Sequence, residues 1–241
     1  CDARARAPAS VAARVSEVPA ILGVTVQRIY ERRTGKAARE EGERGAPLHG
    51  GQPPRKLEIH EGAARFPVDV VAGQKTGFFL DQRDNRALAR TLSPGARVLN
   101  LFCYSGAFSI AALAGGAAHV TSVDTSAEAL SLARGNLAAN GLDESLADWV
   151  NADVFEYLRK LRDRAMQFDL VILDPPKCAP TEKHVPRAAR AYKDINLLAL
   201  QLLAPGGLLM TYSCSGGIGA ELFQKIVAGA APVSYTHLRA H

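Results

Sequence analysis

Residues 97–124 read RVLNLFCYSGAFSIAALAGGAAHVTSVD, and the pattern changes twice along them. RVLNLFC is an unbroken apolar run of strand length, GAFSIAALAGG is a short helix stopped by glycines, and HVTSVD is a second strand. Two strands separated by one helix pair side by side through a crossover, which predicts parallel, right-handed pairing. The alternation continues downstream. Ser126 caps SAEALSLARGNLAANG, with Glu128 in its first turn and Gly141 at its end. DWVNAD gives a third strand, VFEYLRKLRDRA a helix, and FDLVILDPP a fourth strand broken by two prolines. AARAYKDINLLALQLL is a helix ending at Pro205-Gly206-Gly207, and LLMTYSC is the fifth strand. The expected fold is therefore α/β, a Rossmann-like, doubly wound parallel sheet. Such sheets place ligands outside the carboxyl ends of their strands. That rule lines up Phe102 to Gly106, Asp124, Asp153, Asp174 and Cys214 along one rim.

Upstream the reading differs. KLEIHEG and ARFPVDVVAG form two strands joined at Glu61-Gly62, and DQRDNRALARTL is a helix ended by Ser93-Pro94-Gly95. Arg32 to Pro54, rich in Gly, Arg and Glu, reads as an exposed loop or linker. The expected division is residues 1–92 as part of a small α+β domain, residues 93–231 as the sheet domain, and residues 232–241 as a tail. PVSYTHLRAH continues no periodicity and reads as translated adapter, and a chain opening on Cys1 reads as part of a longer one.

With 241 residues, 47% hydrophobic and 22% charged, the chain can pack one well-formed domain and a smaller attached piece. No apolar run is long enough to span a bilayer. The formal charge of +5 suits a nucleic-acid partner without requiring one. Cys1, Cys103, Cys178 and Cys214 show no CxxC pair and no metal-ligand spacing, so no metal is expected, and scattered thiols suit a reducing cytoplasm.

The first strand-to-helix turn, LFCYSGAFS, keeps a single glycine, Gly106, where a backbone could approach a ligand closely. Asp124 at the second strand end could accept bonds from both ribose hydroxyls, and Asp153 at the third could meet an adenine amino group. Each aspartate reads equally as a helix cap; three rim positions in agreement favour a ligand. One glycine disfavours a dinucleotide, whose pyrophosphate needs a glycine-rich nest, and S-adenosylmethionine fits.

DPPK, Asp174 to Lys177, follows the fourth strand with two prolines that stiffen its turn. Amino-directed adenine methylases place an aromatic residue fourth in this motif to stack a flipped base. Lys177 stands there instead, as solvated surface or a phosphate contact, and carbon methylation is the sharper expectation. A pyrimidine C5 is a poor nucleophile until something adds to C6, and a thiolate does so readily. MTYSCSGG, Met210 to Gly217, offers Cys214 at the end of the neighbouring strand. Taken alone, that thiol reads as a small buried residue; beside DPPK it reads as a nucleophile. Cys103 reads as packing and Cys178 as incidental.

GQKTGFFLDQRDNR, NLFCYSGAFSIAAL, VTSVDTSAEALSLARGNL, FDLVILDPPK, AYKDINLLALQLLAPGG and TYSCSGG followed by LFQKI, taken together from Val24 to Ala230, resemble the RlmI-type family. These class I S-adenosylmethionine-dependent methyltransferases make 5-methylcytosine in large-subunit ribosomal RNA. The resemblance implies a chain without the family's N-terminal PUA RNA-binding domain and without the last two strands of its catalytic sheet. It assigns Cys214 as the covalent nucleophile and Asp174 as the group that binds and polarises cytosine at N3 and N4. Phe102, Tyr104, Ser105 and Gly106 would line the methionine part of the cofactor, Asp124 its ribose and Asp153 its adenine. TGFFLDQR would fold over the cofactor through Phe79, Asp81 and Arg83. The family's usual aromatic residue after DPPK is Cys178 here. Ribosomal RNA is the implied partner, with no membrane, and the site of action is cytoplasmic. The rivals are a uracil-C5 methylase, whose cysteine motif reads closer to SCNP, a guanine-N7 methylase, which needs no thiol, and a non-catalytic RNA-binding module.

Overall fold

The computed structural model describes residues 25–32, 45–54, 56–71, 77–177 and 185–238. In chain order the strands and α-helices are β1 (Ile29–Arg32), β2 (Gly45–His49), β3 (Leu57–Glu61), β4 (Ala64–Val68), α1 (Arg83–Leu92), β5 (Arg97–Leu101), α2 (Ala107–Ala114), β6 (His119–Asp124), α3 (Ala127–Ala139), β7 (Ala147–Asn151), α4 (Val154–Asp163), β8 (Phe168–Leu173), α5 (Val185–Gln201), β9 (Leu203–Thr211) and α6 (Ala220–Leu238). One unit is built from residues 1–59 and 67–80, the other from residues 60–66 and 81–241.

The second unit holds the expected sheet, in the order β7-β6-β5-β8-β9 with every neighbour parallel. Side-chain alternation sorts its two faces. Leu99, Leu101, Val123, Val171 and Leu173 bury one face against α4 and α5, through Leu158, Leu161, Ile195 and Leu198. On the other face, Asn100 Nδ2 donates to Ser109 Oγ of α2 at 2.7 Å, and that hydroxyl lies 2.8 Å from Ser122 Oγ. All three residues are buried, and the chain of bonds satisfies groups that would otherwise cost stability. Helix α1 packs on α2, and its buried Arg86 forms a two-bond ion pair with Glu61, with Nε to Oε1 at 2.7 Å.

The helix caps follow the sequence. Ser126 Oγ accepts from Ala129 N–H at 3.1 Å, and Gly141 takes a left-handed φ of 62° just past α3. Two expectations change. The stretch from Arg32 to Pro54, read as loop or linker, contains β2, which pairs antiparallel with β1 in the first unit; residues 33–44 lie outside the described residues. Helix α5 stops at Gln201, and Pro205-Gly206-Gly207 forms a bulge inside β9 instead of the end of a helix. Between the pairs Phe168↔Leu203 and Leu170↔Leu208 the register jumps, which a proline without N–H and a glycine at φ 81° accommodate. Helix α6 runs to Leu238, into the stretch 232–241 expected to be a tail.

Candidate active site

Strand order reverses between β5 and β8, so the crevice at their carboxyl ends is the place for a ligand. Residues 102–106 wall it on one side and residues 174–177 on the other. The first wall carries three left-handed residues, Phe102 at φ 58°, Tyr104 at 47° and Gly106 at 72°. Non-glycine residues held there cost on the order of 1–3 kcal/mol each. Three bonds fix the loop: Cys103 N–H to Val123 O at 3.1 Å, Tyr104 N–H to Asp124 Oδ2 at 2.9 Å, and Asn136 Nδ2 to Ser105 O at 2.8 Å. Gly106 has a reason the sequence did not suggest. A Cβ there would stand 2.8 Å from Ala133 Cβ and 3.1 Å from the Trp149 ring, so helix and strand packing require its bareness.

Asp124 also accepts from Ser126 N–H, at 2.9 Å through Oδ1. The carboxylate is thus fixed by one backbone N–H on each oxygen, with lone pairs remaining on both for further donors. Asp153 caps α4, its Oδ1 accepting from Glu156 N–H at 3.0 Å, and is otherwise exposed. Two residues on, Phe155 joins Phe102, Pro175, Pro176, Ile195 and Tyr192 around a slot of about 70 Å³. Cys103 is buried; desolvation, then the charge of Asp124, drives its thiol far above the usual range, so it stays protonated packing.

At the other wall, Gln82 Nε2 donates to Asp174 Oδ2 at 3.1 Å. Asn85 Nδ2 donates to Gln82 Oε1 at 2.6 Å, which leaves the amide's N–H end facing the carboxylate. Beyond β9, Tyr212 N–H still bonds Leu173 O at 3.0 Å, after which the chain turns. Cys214 therefore sits on a turn three residues past the strand, where the sequence reading had placed it on the strand itself. The turn exposes its side chain, with Sγ 3.6 Å from the carbonyl oxygen of Pro175. Both neighbouring serines point inward to the buried hydroxyl of Tyr192. Burial and then the Asp174 charge push the Tyr212 hydroxyl up to about 12. That oxygen has no hydrogen-bond partner among the described residues, and its ring lies 5.8 Å from that of Phe108.

Cys214 thus lies against the segment headed by Asp174, and the apolar slot joins that segment to Phe102 of the loop that Asp124 holds. Asp81 is exposed, and Arg83 bonds Asp84 at 3.1 Å while lining a separate cavity of about 260 Å³ with Glu61, Arg86 and Arg90. Phe79, half-buried, belongs to the first unit. Lys177 is exposed, and Cys178 lies outside the described residues. The sequence reading passed over Gln82, Phe155 and Tyr192. A tyrosine in register with Ala188, Ile195 and Ala199 on the apolar stripe of α5 was a legible signal; Gln82 and Phe155 carried none.

The crevice fits S-adenosylmethionine in kind. A fixed carboxylate can hold the ribose, apolar side chains at Phe102 and Phe155 can pack beside a purine, and the single-glycine loop builds no pyrophosphate nest.

Comparison with known proteins agrees. A family model for S-adenosylmethionine-dependent methyltransferases matches residues 37–239. The chain is 51% identical over 205 residues to a protein of Photobacterium profundum named ribosomal RNA large subunit methyltransferase I, covering 84% of this chain and 52% of that one. A protein of the same name from Shewanella denitrificans is 50% identical over 207 residues, with the same coverage. The chain spans about half the length of these curated relatives. Among solved structures, SMU.776, determined in complex with SAH, superposes with a TM-score of 0.77 at 29% identity, over 90% of this chain and 55% of that one. The chain belongs to the S-adenosylmethionine-dependent methyltransferase family.

Proposed function

We propose that this chain carries the methyl-transfer machinery of an enzyme that modifies C5 of cytosine in large-subunit ribosomal RNA, through a covalent adduct between Cys214 and C6. Residues 93–231 would be the transfer unit, and residues 1–92 part of a small α+β domain. The reading takes its RNA class from the name of the relatives at about half identity. Its chemistry rests on one observation, the exposed Cys214 thiol 3.6 Å from the carbonyl of Pro175 in the turn headed by Asp174. An RNA target of this kind puts the reaction in the cytoplasm.

The target base is unstacked into the crevice at a cost of a few kcal/mol. Cys214 attacks C6 as the thiolate, forming a carbon–sulfur bond and moving the ring electrons toward C5. Asp174, fixed by Gln82, accepts from the N4 amino group and, in its protonated form, donates to N3, where the electrons displaced by the attack collect. Asp124, Phe102 and Phe155 would hold S-adenosylmethionine, which would supply an electrophilic methyl group for C5. Loss of the C5 proton to a base restores the double bond and expels the Cys214 thiolate.

The test uses the full-length protein, ribosomal RNA and labelled cofactor, with nucleoside mass spectrometry of the product. Labelled 5-methylcytosine is expected. Cys214→Ala should still bind the cofactor, lose the RNA adduct, and lose turnover by about 10³-fold or more. Normal 5-methylcytosine from the alanine variant ends the proposal, as does label in uridine or guanosine.

A further inference from the structure

The serines on either side of Cys214 share one anchor. Tyr192, on α5 and with no exposed surface, accepts from Ser213 Oγ at 3.2 Å and lies 3.1 Å from Ser215 Oγ. A phenol has one donor and two acceptor sites, enough for both. Ser215 N–H closes the same turn on Ser213 Oγ at 3.3 Å. The anchor is itself fixed. Asn196 Nδ2 donates to the Tyr192 carbonyl at 2.7 Å, and the ring meets Phe223 of α6 edge-on, with centroids 5.5 Å apart. Ala188, Ile218 and Ile226 complete an apolar cluster around it. Polar on one side and apolar on the other, Tyr192 holds both arms of the segment joining β9 to α6.

This arrangement accounts for a thiol between two serines. Each serine turns in to the phenol, and alternation along the short turn sends the residue between them outward, over the carbonyl of Pro175. A three-residue turn without that post could rotate. A nucleophile displaced by about 1 Å loses on the order of 10²-fold in rate. We propose that Tyr192 is a positioning residue for Cys214, its hydroxyl setting the Ser213–Ser215 turn so that the thiol stands over the Asp174–Pro176 turn. The inference rests on Cys214 being the nucleophile, and the test separates the two claims.

Tyr192→Phe in the full-length protein keeps the ring and removes the hydroxyl. The expected result is a kcat lower by about 10- to 100-fold, with KM for RNA and cofactor affinity within about 2-fold of the parent. Ser213→Ala with Ser215→Ala should reproduce that loss, and all three changes together should cost no more than either set alone. The serine pair also answers the question if the phenylalanine variant fails to fold. Parental kcat in Tyr192→Phe, or losses that simply add in the triple variant, overturn the proposal. Alkylation of Cys214 by iodoacetamide, followed by peptide mass spectrometry, reads the turn without catalysis. Its rate should change several-fold in Tyr192→Phe, and an unchanged rate also overturns the inference. If Cys214→Ala is active, the nucleophile reading falls and the alkylation series still decides what Tyr192 does to the turn.

Discussion

Cys103 and Cys214 follow strands at the same rim, and their surroundings give them opposite chemistry. The first is buried within the loop after β5 beside the negative charge of Asp124, and both conditions disfavour a thiolate. The second is exposed on a turn whose neighbours are tied inward. Sequence spacing alone treats the two alike; the difference is made by residues far away in the chain. Asp174 is governed in the same way. Its carboxylate is bonded by Gln82, 92 positions upstream, and Gln82 is held by Asn85 one turn along α1. A side-chain amide is the right group there, since it donates to an anion without adding charge. Gln82→Glu would set a second carboxylate about 3 Å from the first, a like-charge contact of on the order of 1 kcal/mol or more at an effective dielectric of about 20 or higher. We expect turnover to fall at least about 10-fold, with Gln82→Ala milder because it only removes a donor. Single-turnover rates at saturating cofactor measure this, and a glutamate variant as active as the parent rules out a role for the pair.

At the scale of elements, the parallel strands were readable because each is a short apolar run between helix signals, and a strand buried on both faces needs little else. Residues 119–124 became β6 with no change of boundary. Where the reading slipped, pairing partners outweighed local punctuation. Pro205-Gly206-Gly207 is a stop signal in one dimension, yet β8 offers unpaired groups that draw the chain back into the sheet around a bulge. The short strand β2 carries no alternation and exists through its partner β1. Gly106 is the inverse case, a residue read correctly as special for a reason only packing supplies. Its φ of 72° disfavours any side chain, and an added methyl would press on Ala133 of α3 and Trp149 of β7. Gly106→Ala should destabilise the protein by about 1–3 kcal/mol, or roughly 2–12 °C in melting temperature for a domain of this size. Scanning calorimetry or thermal circular dichroism checks it. A melting temperature within a degree of the parent would show that α3 and β7 give way at no cost.

For the whole molecule, the question is how a long polyanion would be held while one base enters a narrow crevice. The formal charge of +5 is modest, so RNA binding would depend on how that charge is distributed. Helix α5 connects the two halves of the problem. Its buried stripe carries Ala188 and Tyr192, the post beneath the Cys214 turn, while Arg187, Arg190 and Lys193 stand exposed on its other side. Exposed basic residues on a helix are commonly no more than a solvated surface. Three of them on the helix that supports the proposed nucleophile could instead fix the phosphate backbone, leaving base recognition to the crevice. Replacing all three with glutamine would then weaken RNA binding uniformly across sequences. Each phosphate contact on a single strand contributes about 0.7 to the slope of log affinity against log salt, so the slope should flatten by about 2. The rate at saturating RNA should stay within about 2-fold of the parent, because none of the three side chains belongs to the crevice. Filter binding between 50 and 200 mM salt measures the slope over a range where such contacts are distinguishable. A parental slope in the triple variant would move the phosphate-binding surface off α5.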